Sequence, residues 1–166
     1  MKEYLGDILM YNKKRQLVLV VVTASQRRKS REWVTEYRHN LYVNAELPKT
    51  PFFAMALPEH FYLWKDVEED DGMVNPTYEM EPRFTLETLF NKSRLSLDKM
   101  RRHTFEFIIN GWFGMLQIVD DKREICSQHP DWQLGDNQAW LFKSGLFESI
   151  KKGHMVTRYE YDDSVR

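Results

Sequence analysis

Residues 17–23 (LVLVVVT) constrain the fold more than any other segment of the chain. The run is apolar and mostly β-branched, without the alternation of a half-exposed strand or the polar side of a surface helix, so both of its faces need cover. It reads as the central strand of a sheet with helices on either face. A shorter apolar run, residues 7–11 (DILMY), precedes it across the polar stretch Asn12-Lys13-Lys14-Arg15-Gln16. A five-residue polar connection suits a hairpin, so the first two strands are expected to be antiparallel.

Downstream, Ser30 offers an N-cap, and Trp33, Tyr37 and Leu41 recur at helical spacing until Pro48, which predicts a helix over 30–45. Strands are expected at 52–57 (FFAMAL) and 61–65 (FYLWK), joined by Pro58-Glu59-His60. Asp66, Glu68, Glu69, Asp70 and Asp71 open a stretch with little apolar content, and 66–80 reads as an acidic surface loop. A short helix is predicted over 85–91. A long one begins at Ser96, with Leu97, Met100, Phe107/Ile108, Trp112, Met115 and Val119 on one face and Gly111 and Gly114 weakening its middle. After a polar stretch over 120–136, residues 137–152 read as two helices broken at Gly145, followed by a strand over 154–161.

The chain has 166 residues, 42% of them hydrophobic, which suits one packed core, so 1–166 is expected to form a single α/β domain: a mixed central sheet flanked by helices, with a helical second half. Lys and Arg number 24 against 25 Asp and Glu, so any attraction to a polyanion must come from a local patch. The single cysteine, Cys126, excludes an internal disulfide or a cysteine zinc ribbon; Cys126 and His129 alone are too few ligands for a metal. The longest apolar run is far below the roughly 20 residues of a membrane helix, and residues 1–3 resemble no signal peptide, so the expectation is a cytoplasmic protein with no membrane partner. No G-x-S-x-G elbow or glycine-rich phosphate loop occurs. Trp64, Trp112, Trp132, Trp140, Phe52, Phe53 and Phe61 are expected in the core rather than as base-stacking platforms.

Asp7 stands at the start of a strand beside the buried run. In metal-dependent nucleases a carboxylate there, with an acid and a lysine two residues apart on the neighbouring strand, holds Mg²⁺ and positions water, because i and i+2 leave a strand on the same face. Residues 6–11 (GDILMY), LVLVVVTAS, REWVTEYRHNL, LPKTPFFAMALPEHFYLWKD and WLFKSGLFESIKKGHMV together resemble a family of small bacterial proteins with a restriction-endonuclease-like, PD-(D/E)XK, fold. The resemblance implies that fold for most of the chain. It also implies a strand reading roughly Val-Val-Glu-Val-Lys, where this chain has Val20-Val21-Val22-Thr23-Ala24. The acid and lysine positions are thus Val22 and Ala24, which predicts a catalytically inactive relative without a cofactor. The family also carries a helical segment ahead of the Asp strand, and only residues 1–6 precede Asp7 here. That leads to the expectation of a sheet face covered by a protein partner or by a second copy.

Two function classes follow. In the first, the chain is a binding or assembly subunit that contacts DNA or RNA through Arg27, Arg28, Lys29 and Arg31, and through Arg101 and Arg102, the last two near Lys99 and His103. In the alternative it is a Mg²⁺-dependent nuclease rebuilt from Asp7 as metal ligand, Glu36 or Glu32 as a migrated acid, and Lys29 or Arg27 as the cation. The plain reading of Glu32 is a first-turn carboxylate favoured by the helix dipole, and of Glu36 a solvent-facing residue.

Overall fold

The protein is described here from a computed structural model, over residues 6–24, 30–44, 47–67, 72–81, 102–128 and 135–157. Strands β1 (Ile8–Tyr11) and β2 (Leu17–Thr23) form the expected antiparallel hairpin. Asn12 organises its turn, because its Oδ1 accepts from the backbone N–H of Lys14 at 2.9 Å and of Gln16 at 3.0 Å. Ser30 caps α1 (Arg31–Val43), its Oγ accepting from the Trp33 N–H at 3.1 Å. The helix carries the chain to β3 (Phe52–Leu57), which runs parallel to β2. Pro58 and Glu59 then turn directly into β4 (His60–Lys65), antiparallel to β3 with Leu57 opposite His60.

The full sheet has six strands in the order β5-β4-β3-β2-β1-β6, where β5 is Tyr78–Met80 and β6 is His154–Thr157. It is mixed, and the fold is α/β. β2 lies in the interior of the sheet, and alternate side chains enter two separate apolar layers: Leu19 and Val21 on one face, Val20 and Val22 on the other. That double burial is why the run needs no polar alternation.

The first layer is covered by the second half of the chain: α2 (Arg102–Ile118), α3 (Lys122–Gln128), α4 (Gly135–Gln138), a π-helical turn (Ala139–Lys143) and α5 (Leu146–Ile150). Elements of four and five residues cannot hold themselves together, so packing must fix them. The Phe61 ring lies 5.7 Å from Trp112 and 5.8 Å from Trp140, and those two indoles are 6.3 Å apart. Each such buried aromatic contributes about 2–3 kcal/mol. The break after the π turn falls at Gly145, as the sequence implied, and Ser144 ties both sides, donating to the Trp140 carbonyl and accepting from the Leu146 N–H. The second layer lies under α1, whose Val34 and Leu41 pack on Val20, Val22, Phe53, Met55 and Trp64.

Several elements differ from expectation. The expected loop over 66–80 ends in an edge strand: Tyr78 pairs with Leu63 and Met80 with Phe61, and Met80 is buried in the first layer. Trp64 Nε1 donates to the Val74 carbonyl at 2.8 Å, which fastens the preceding residues to the sheet. The polar stretch 120–136 contains α3, started by Asp121, whose side chain accepts from the Arg123 N–H, and anchored by buried Ile125. α2 runs through Gly111 and Gly114; of its expected face Trp112 and Val119 are buried in the first layer and Ile108 and Met115 pack against it, whereas Phe107 is exposed and Phe105, Ile109, Phe113 and Leu116 are buried as well. The helix expected at 85–91, the expected helix start at 96–101, Trp132 and the end of the last strand at 158–161 lie outside the described residues. Among the described residues no helix is long and apolar enough to cross a membrane.

Candidate functional site

Asp7 immediately precedes β1, where its N–H donates to the Val21 carbonyl at 2.9 Å. Its carboxylate Oδ2 accepts from the Thr23 N–H at 2.6 Å and from Thr23 Oγ1 at 2.9 Å. The side chain is only 3% exposed. The carboxylate therefore acts as a cap on the end of β2, satisfying a strand-end N–H in the interior. Gly6, at φ +99°, makes the approach possible, since a Cβ there would stand 2.6 Å from Val20 Cγ1.

The ladder that pairs Ile8 with Val21 sets Asp7 beside Val22. Val22 is 1% exposed and sits in the layer under α1, and Ala24 packs at the margin of that layer while its N–H donates to the Ala56 carbonyl at 3.1 Å. The two positions that a metal-dependent nuclease would fill with an acid and a lysine are thus apolar, and one is fully interior.

The migrated acids do not come to Asp7. At 100° per residue Glu32 and Glu36 lie about 160° and 200° around α1 from Val34, the residue that packs on the sheet, and both are exposed. Among the described residues no three acid, His or Cys side chains are grouped as a metal could use them. Among the described residues no second acid stands beside Asp7: its Oδ2 accepts from Thr23, its neighbours across the ladder are aliphatic, and the acids of α1 face away.

Of the basic residues, Arg27, Arg28, Lys29, Lys99 and Arg101 lie outside the described residues, as do the side chains of Arg102 and His103. Arg31 is described and is exposed, and its guanidinium is hydrogen-bonded to Glu79 of β5. That carboxylate raises the Arg31 pKa above its ordinary value, first through the hydrogen bond and then through charge. Glu79 also stands 3.6 Å from His60 Nε2, so one acid on the edge strand gathers two basic groups.

One residue absent from the sequence argument is Arg38. It is 5% exposed, with its guanidinium 4.4 Å from the Tyr42 ring centroid, 5.7 Å from Phe53 and 5.6 Å from Trp64. A planar cation stacked on aromatic faces suits a buried guanidinium. The available signal was its position between Val34 and Leu41, in the middle of the apolar stripe of α1. Comparison with protein-family models, with curated proteins and with solved structures finds no match to this chain.

Proposed function

We propose that this chain is a restriction-endonuclease-like domain that acts by binding, as a nucleic-acid-contacting or complex-assembly subunit, and not by metal-dependent cleavage. The observation that carries the reading is the Asp7 carboxylate held on the Thr23 N–H and hydroxyl, beside Val22 and Ala24. With valine and alanine at the two strand positions, the described residues supply neither the second acid that would hold a metal nor the lysine that would orient water. The strand arrangement around it, an antiparallel hairpin followed by a helix and a parallel strand, is the part of the fold that supports the family resemblance.

The test incubates the protein and its Asp7→Ala variant with single- and double-stranded DNA and RNA, with Mg²⁺ or Mn²⁺. No cleavage by either protein is the expected result. Cleavage that disappears in the variant would overturn the reading in favour of a rebuilt nuclease. The nucleic-acid arm has its own measure: affinity for DNA should fall steeply as salt rises, and a flat response would remove phosphate contact and leave assembly.

A further inference from the structure

A cleft of about 640 Å³ opens at the other end of the β1–β2 hairpin, lined by Tyr11, Lys13, Arg15, Lys152, His154 and Val156 among others. It lies four residues along β1 from Asp7, about 14 Å away at a strand's rise. We propose that this cleft binds a phosphate-bearing ligand with a flat ring, that is, a nucleotide, either free or as part of a single strand. The inference goes beyond the proposed function and uses none of the residues that the reading of Asp7 rests on.

The chemistry of the lining carries it. Lys13 and Arg15 project from the hairpin turn, are exposed, and make no ion pair among the described residues. Lys152 comes from the turn between α5 and β6. Its Nζ is fixed by the Ile118 carbonyl at 2.9 Å and by Asp120 at 2.7 Å. Among the described residues the lining thus carries three cations and no carboxylate, and two of the three cations make no ion pair there. Guanidinium and ammonium groups converging in this way suit phosphate oxygens.

The ring component comes from β1 and β6. Tyr11 and His154 are cross-strand partners, their ring centroids 6.1 Å apart and tilted by 41°. Tyr11 and Val156 are half-buried at the margin of the layer under α1, so an aromatic and an aliphatic surface line the cleft beside the cations. A nucleobase stacks on such a surface, and a simple anion gains nothing from it. The two turns are held together by Gly153: a Cβ there would come 1.8 Å from the Tyr11 carbonyl oxygen, so only glycine permits the approach.

The experiment titrates the full chain at low salt with inorganic phosphate, a nucleoside monophosphate, a short single-stranded oligonucleotide and polyglutamate. Lys13→Gln/Arg15→Gln and Tyr11→Leu serve as variants, with thermal melts confirming that both fold. The double variant is expected to weaken oligonucleotide or mononucleotide binding roughly tenfold or more and, for the oligonucleotide, to reduce the slope of log affinity against log salt by about 1.4, from two lost phosphate contacts. Tyr11→Leu is expected to weaken nucleotide binding and leave inorganic phosphate unchanged. A much tighter oligonucleotide than mononucleotide assigns the site to a strand, and comparable affinities assign it to a free nucleotide. Binding untouched by the double variant, a preference for polyglutamate, or no binding of any phosphate probe would overturn the inference. The first of these leaves nucleic-acid contact elsewhere on the chain intact.

Discussion

The two ends of the β1–β2 hairpin contrast in every physical respect. At one end a carboxylate is enclosed, bonded to Thr23 and surrounded by valines. At the other, cations stand in the open around a cleft, and Lys152 is held by Asp120 from outside its lining. The difference teaches that the one acid in a catalytic-looking position serves the integrity of the sheet, whereas the turn that reads as mere connection holds the accessible charge. The bonds that Oδ2 accepts from the buried strand-end N–H and hydroxyl give this carboxylate a part in holding the sheet. Exposed cations cost little to keep apart, so their convergence points outward to a ligand.

The contrast can be broken at either end. The largest effect is expected from Gly153→Ala, whose Cβ would meet the backbone of Tyr11 and not a yielding side chain. A loss of about 3 kcal/mol, read from denaturant unfolding, follows if the backbones must part. A wild-type midpoint would mean that the two turns do not approach so closely. Next comes Asp7→Ala, which leaves the buried Thr23 N–H and hydroxyl without their acceptor and should cost about 2 kcal/mol. Thr23→Val keeps the N–H bond and removes only the hydroxyl, so about 1 kcal/mol is expected. Equal losses in the two variants would assign the whole effect to the hydroxyl.

The smallest effect concerns the basic end and pH. Lys152, by hydrogen bond and then by charge, holds the Asp120 carboxyl below its ordinary 3.8. The folded chain therefore binds that proton less readily than the unfolded one. The pair contributes above the ordinary carboxylate range, and the contribution fades as pH falls through the lower folded-state value. Asp120→Asn should remove this part of the acid dependence, as should high salt, because the group is exposed. A wild-type acid profile in the variant would show that the pair adds nothing.

How much was legible in the sequence follows the same division between local and distant causes. β2, β3, the hairpin turn and the Ser30 cap were readable because their signals are local: an apolar run, a polar connection and a hydroxyl ahead of a helix. The face of α2 was legible in part: Ile108, Trp112 and Met115 lie on the first layer as expected, whereas Phe107 is exposed and Phe105, Ile109, Phe113 and Leu116 widen the buried stripe to an extent that only packing against the sheet decides. β5 was hidden because its three residues gain strand character only against β4. Asp7 stood out as a carboxylate at a strand start, yet its engagement by Thr23 depends on the register of the hairpin. The cleft was invisible because Lys13 and Lys152 come from opposite ends of the sequence.

The central claim is that Asp7 holds the sheet and not a metal. Thermal unfolding of wild-type protein and Asp7→Asn, each with and without saturating Mn²⁺, tests it directly, because a ion bound only by the folded state must raise its melting temperature. The account predicts a lower melting temperature for the variant and no shift with Mn²⁺ in either protein. A Mn²⁺-dependent rise in the wild type that vanishes in Asp7→Asn would contradict it.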